Sequence, residues 1–143
     1  MKHPPFEILE HTADVGLRAF GETLPELFAN AAQGMLAIAF EVEEASQQIL
    51  PGQCRKLAAN GEDRAELLVH FLSEILYAVD SEGWRFTEFR IQRIGSNTIE
   101  AEGWGSREER SEHSRVAVKA VTYHQASVTQ TGKGWEAVVY FDI

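Results

Sequence analysis

The chain ends in Phe141-Asp142-Ile143, which puts the side-chain carboxylate of Asp142 one residue before the terminal carboxylate of Ile143. Two anionic oxygen groups with a backbone carbonyl between them form part of a donor set for a hard divalent cation. The segment before them, Gly134 to Phe141, reads as a β-strand, which would hold both acids in place. Its period of two puts Trp135, Ala137, Val139 and Phe141 on one face and Glu136, Val138, Tyr140 and Asp142 on the other. Asp142 therefore faces away from the apolar side, and Glu136 reads as a solvated charge. The competing reading is a frayed terminus carrying a solvated aspartate.

Asp14, in His11-Thr12-Ala13-Asp14-Val15-Gly16, stands at the junction of two strands just before a glycine. It either projects into a shallow site or bonds its own turn backbone. Lys119 and His124 complete the candidates, in Val118-Lys119-Ala120-Val121-Thr122-Tyr123-His124. Their parity is opposite, so an unbent strand points them to opposite faces, with Lys119 beside Val121 and Tyr123. A lysine among apolar neighbours snorkels to water or meets a carboxylate. An ordinary edge-strand lysine fits the spacing equally well.

Other chemistry is excluded by the residues present. Gly132-Lys133-Gly134 lacks the lead and the following Ser or Thr of a phosphate-binding P-loop. There is no HExxH and no CxxC, which disfavours structural or protease-type zinc. The histidines at 3, 11, 70, 113 and 124 show no ligand spacing, and His70 should flank the core. No serine sits in a nucleophile elbow. The single cysteine, Cys54, can form no disulfide within the chain and lies in a strand pattern, where packing is the expected role.

The bulk charge narrows the partners. Thirteen basic against 22 acidic side chains give a formal charge of -9, against the clustered Lys and Arg needed to grip phosphates. The densest charged stretch, Arg107 to His113, has mixed signs and reads as a solvated loop or turn. The N-terminus has no apolar signal core and no apolar run is long enough to span a bilayer. A cytoplasmic protein of one domain over residues 1–143 is expected, with any role in RNA chemistry acting through another protein.

The elements that must position these residues can be read in order. Phe6 to Glu10 and Asp14 to Phe20 form a strand pair, with Gly21-Glu22 turning out of it. Thr23-Leu24-Pro25-Glu26 is a capping box with proline in the first turn. Leu27, Phe28, Ala31, Ala32, Met35 and Leu36 then form one helical stripe that fades near Ala39. Gln53 to Asn60 reads as a strand, Asn60-Gly61 as a turn, and Asp63-Arg64-Ala65-Glu66 as a second cap. Leu67, Leu68, Phe71, Leu72, Ile75 and Leu76 repeat the stripe at the same spacing from the cap, which fits either an internal duplication or the shared physics of two amphipathic helices. Phe86 to Ile94 and Thr98 to Trp104 flank a Gly95-Ser96-Asn97 hairpin. Val116 to Thr129 is extended and turns back at Thr131 to Gly134. The expected fold is α+β, a single layered domain of mostly antiparallel sheet packed with two amphipathic helices.

Four segments together resemble the archease family. They are His11 to Gly16, the Leu67 to Leu76 helix, Lys119 to His124, and Trp135 to Ile143. The first and last are specific in combination, and the acidic positions show no departure. The stretch from Glu41 to Gln53 is not distinctive. The resemblance implies a cofactor protein for an RtcB-type RNA ligase, which joins RNA ends in tRNA splicing and repair through a GMP-histidine intermediate made from GTP. It implies promotion of guanylylation and of multiple turnover, with RNA met only through the ligase. The family's metal-binding acids fall on Asp14 and Asp142, with Ile143 adding oxygen ligands, and its lysine on Lys119. His124 in the same motif joins Lys119 as a candidate for partner contact. Oxygen ligation favours Ca2+, with Mg2+ or Mn2+ as alternatives. Two other classes compete: a small metal-dependent phosphohydrolase or nucleotide-processing enzyme using the same acids, and a chaperone-like module, which would need a large exposed apolar patch.

Overall fold

Two strand ends pass so close to the helices that follow them that only glycine fits. In the computed structural model, a Cβ on Gly21 would lie 2.4 Å from the Leu27 nitrogen, and one on Gly61 would lie 2.5 Å from the Leu67 nitrogen. The structure describes residues 4–40 except 11–13, then 52–107 and 116–143, leaving out the side chain of Glu10. Among these are seven strands and two helices: β1 (Phe6–Glu10), β2 (Asp14–Gly21), α1 (Leu24–Ala39), β3 (Gln53–Asn60), α2 (Arg64–Glu82), β4 (Trp84–Ile94), β5 (Thr98–Arg107), β6 (Ala120–Thr131) and β7 (Gly134–Asp142).

Both helices start where capping chemistry dictates. The Thr23 hydroxyl accepts from the Glu26 amide at 3.2 Å, and the Asp63 carboxylate accepts from the Glu66 amide at 2.8 Å. The reach-back bond of the second cap goes one residue further than the capping box predicts: Glu66 accepts from the Glu62 amide at 3.0 Å. α2 ends on Gly83, whose φ of 83° is left-handed and needs no Cβ.

The strands form two antiparallel sheets, ordered β1-β2-β7-β6 and β3-β5-β4. Each helix touches both sheets: α1 packs on β2 and β4, and α2 on β6 and β3. This explains why burial extends well beyond a single stripe, to Ile38 and Ala39 on α1 and to Val69, Ala78 and Val79 on α2. The core draws on the inner faces of both sheets, from Leu17, Val139 and Phe141 to Leu57, Ile99 and Ala101. The suggested duplication extends into the topology. The unit β3-α2-β4-β5 has strand order β3-β5-β4, and β2-α1 with β6-β7 has the matching order β2-β7-β6. The unit β3-α2-β4-β5 sits in the chain between α1 and the β6-β7 hairpin.

Two expectations change. The long extended stretch begins as a strand at Ala120 and runs to Thr131, so Val116 to Lys119 lie outside it. Cys54 is exposed rather than packed. Its thiol is held above the usual value, first by local desolvation and then by the Glu102 carboxylate, so no activated thiolate forms there. The expectation for Arg107 to His113 lies outside the described residues beyond Arg107. Among the described residues no helix is long and apolar enough to cross a membrane.

β3 is fastened to α2 by one guanidinium. Arg55, with its side chain 18% exposed, donates to both Glu82 oxygens at 2.7 and 3.1 Å and to Glu74 at 3.0 Å. The bidentate bond from Arg55 holds the Glu82 carboxyl below its usual pKa. A carboxyl depressed in this way contributes stability that is full above its unfolded pKa and is lost as pH falls through the folded value. Arg55→Ala is expected to lower the unfolding free energy by about 2 kcal/mol at neutral pH. It should also flatten the acid limb of stability below about pH 4.5, as measured by urea unfolding across pH.

Candidate functional site

Backbone pairing alone brings the sequence's two chosen acids together. β2 and β7 run antiparallel in a register that sets Asp14 opposite Asp142, Gly16 opposite Tyr140 and Arg18 opposite Val138. Residues directly opposed in an antiparallel pair share a face, with Cβ atoms about 5 Å apart. The parity that buries Leu17, Ala19, Val139 and Phe141 against the helices turns Asp14 and Asp142 to the outer face. Asp14 is half-buried and Asp142 exposed.

Three further segments reach this end of the sheet. On its other side Asp142 pairs with Ala120, a side chain too small to crowd the carboxylate. The Lys119 amide donates to the Asp142 carbonyl at 2.8 Å, which ties the lysine's backbone to the acid-bearing residue while its side chain stays exposed. The Ala117 amide donates to the Ala39 carbonyl at 2.9 Å, bringing in the C-terminus of α1. Arg85 stands 4.4 Å over the ring of Phe40, the C-cap of α1, so this helix end carries a cation of its own. Ile143 follows Asp142 directly and is exposed. His11, Thr12 and Ala13 lie outside the described residues.

The unbent strand assumed for Lys119 and His124 does not form. Lys119 precedes β6, and the strand's alternation fails between Thr122 and Ser127. There four residues of β6, Tyr123 to Ala126, stand against Val139 alone, and Gln125 takes a φ of 55°. The bulge brings the His124 ring to 6.2 Å from the Tyr140 ring, and Tyr140 shares the outer face with Asp142. Tyr123, 60% exposed, is held by His70. His70 Nε2 lies 2.6 Å from the Tyr123 hydroxyl, while Nδ1 faces the Asn60 carbonyl at 2.6 Å. His70 thus flanks the core as expected and also clasps the bulge to α2.

The sequence reading passed over Gly16 and Tyr140. A Cβ on Gly16 would lie 2.6 Å from the Tyr140 ring, so this glycine is what lets the tyrosine lie across β2 beside the acids. The signal was present, since each stands two residues from an aspartate on the same parity. Glu136 is also not simply solvated: it stands 3.9 Å from Arg18, which is equally far from Glu7.

The donor set is all oxygen and carries more negative than positive charge, which fits a hard cation. Among the described residues no group of three or more His, Cys, Asp or Glu side chains is arranged to hold a metal ion. Asp14 and Asp142 would hold such a cation with main-chain oxygen from Ile143, leaving the remaining coordination to water or to phosphate oxygens.

With this geometry in hand the comparisons are specific. The sequence profile of the Archease protein family (MTH1598/TM1083) matches residues 6–143. A protein archease of Saccharolobus islandicus is 40% identical over 140 residues, covering 96% of this chain and 98% of its own length. Protein archease of Sulfurisphaera tokodaii is 34% identical with the same coverage. The solution structure of protein 1598 of Methanobacterium thermoautotrophicum superposes with a TM-score of 0.74 at 29% identity, covering 97% of this chain and 99% of that one. A crystal structure from Thermotoga maritima, described as an archease and possible chaperone, shares the fold with a TM-score of 0.59 at 21% identity, covering 100% and 98%. The chain belongs to the archease family.

Like charges directly opposed across a strand pair repel. Without divalent cations, Asp142→Asn is therefore expected to raise stability by about 0.5 kcal/mol at low ionic strength, an effect that salt should erase. Chemical denaturation of both proteins with chelator present checks this, and a loss of stability in the variant would contradict it.

Proposed function

We propose that this chain is an accessory protein of an RtcB-type RNA ligase, promoting GTP-dependent guanylylation and repeated turnover in tRNA splicing and RNA repair. The observation that supports it most is the register that pairs Asp14 with Asp142 inside a chain of the archease family. The site is open, with two carboxylates, a main-chain oxygen at Ile143 and a tethered lysine. It has donors for a divalent cation, Ca2+ first and Mg2+ or Mn2+ next. Such a site suits completion by a second protein that binds GTP.

In this reading Asp14 and Asp142 hold the cation at the sheet end. When bound, the ion supplies charge neutralisation for phosphate oxygens. Lys119 balances the acids or meets phosphate, and His124 on the bulge contacts the ligase. The charge of -9 favours encounter with a basic RNA channel and disfavours RNA binding by the chain itself. The protein acts in the cytoplasm and is not itself an enzyme.

The alternative of independent nucleotide processing predicts turnover by the purified chain with nucleotide and metal alone. The Thermotoga maritima relative's description as a possible chaperone raises a third reading. The large exposed hydrophobics described, Ile8, Tyr77, Tyr123 and Ile143, are spread over β1, α2, β6 and the last residue, a weak basis for client binding.

Ligase turnover stimulated by wild-type protein, Asp14→Ala, Asp142→Ala and Lys119→Ala tests the proposal. Each aspartate variant is expected to lose stimulation by about tenfold or more, as loss of a metal ligand does. Lys119→Ala should lose less, and stimulation should fall with salt. Full stimulation by all three variants would end the acid-pair mechanism.

A further inference from the structure

The other end of the four-stranded sheet carries a cleft with different chemistry. It encloses about 730 Å³ between the start of β1, the end of β2, the first turns of α1 and the β6–β7 turn. The register from Asp14↔Asp142 to Phe20↔Glu136 places it about 20 Å from the acid pair. Phe20 and Trp135 supply aromatic surface, and Pro4 and Pro5 supply an apolar rim. Glu22, Glu26 and Glu136 stand against one lysine, Lys133, with Arg18 at the border 3.9 Å from Glu136.

We propose that this cleft receives an arginine side chain presented by an extended segment of a partner polypeptide. Carboxylates beside aromatic faces are the surroundings a planar guanidinium prefers, since it can stack and form forked hydrogen bonds at once. The molecule already contains one example on the same ring: the Arg64 guanidinium lies 5.2 Å from the Trp135 centroid. The lining sets three carboxylates against Lys133, with Arg18 and Arg64 at its border, and offers no basic cluster for phosphate, so nucleic acid and anionic membrane are disfavoured. The aromatic and proline walls and the volume are wrong for a bare metal ion.

The walls are fixed before any ligand arrives, which lowers the ordering cost of binding. The Asn30 side-chain amide donates to the Phe20 carbonyl at 2.7 Å, locking α1 to the end of β2. The Phe20 amide donates to the Pro5 carbonyl at 3.0 Å, fixing the rim. Gly134, with φ of 141°, packs so tightly that a Cβ there would lie 2.4 Å from the Gly21 carbonyl oxygen.

The test is a titration of the full chain with a short Gly-Arg-Gly-Arg-Gly peptide at low salt, followed by the indole N–H resonance of Trp135, assigned with Trp135→Phe. The arginine peptide should move this resonance in a saturable way, and salt should weaken the effect. A lysine peptide should bind more weakly, and the neutral citrulline peptide should leave the signal in place. Glu26→Gln with Glu136→Gln, both isosteric changes whose folding is checked by the dispersion of the remaining resonances, should weaken binding by about two- to fivefold. Asp14→Asn with Asp142→Asn should bind as wild type does, separating this cleft from the acid pair. Three results would each overturn the proposal: no movement by about 10 mM peptide, equal movement with citrulline, or unchanged binding in the glutamate variant. None of them bears on the ligase proposal, because no ligase is present.

Discussion

The antiparallel contact between β2 and β7 is the constraint on which the rest depends. It joins a strand near the beginning of the chain to the last one, and it seats β7 between β2 and β6. The inward side chains of these strands, Leu17, Ala19, Val139 and Phe141, are almost fully buried against the helices. A one-residue slip of β7 would send Val139 and Phe141 to solvent and bring Asp142 into the core. The hydrophobic free energy of the inner face therefore enforces the register, and the register brings the two aspartates together. Their repulsion is a small term, tolerated because the larger one fixes the strands.

The same economy appears in the two halves of the fold. Each half consists of a strand, a tight glycine passage, a capped helix and a hairpin. Each helix lies between sheets and buries more than one stripe, so neither half could cover its helix alone. The hairpin tip of one half also braces the other elements. Asn97 donates to the Gly61 and Glu62 carbonyls at 2.9 Å each, and accepts at its own carbonyl from the Gly61 amide at 2.9 Å. With this frame rigid, the two ends of the four-stranded sheet are free to carry different chemistry.

The two ends differ in what they offer. At one, opposed carboxylates and an amide-tethered lysine segment stand on an open surface. At the other, carboxylates are interleaved with aromatic and proline surface in a cleft. Between them Arg18 stands 3.9 Å from both Glu7 and Glu136, and Tyr140 lies across Gly16. The two ends are therefore chemically distinct.

The sequence by itself determined the local elements, because their causes are local. Thr23 and Asp63 cap helices through bonds to residues three positions on, and the period of the stripes and strands states which side is apolar. Parity alone put Asp142 and Tyr140 on the outer face. Tertiary structure decided what depends on pairing between distant segments: that Asp14 lies opposite Asp142, and that one strand-helix-hairpin unit sits inside the other. It also decided that four residues of β6 bulge out against Val139 and turn His124 toward Tyr140. A bulge arises where two strands of unequal length must both keep their apolar faces inward. No residue in Tyr123 to Ala126 announces it, because the mismatch exists only once β7 is in place.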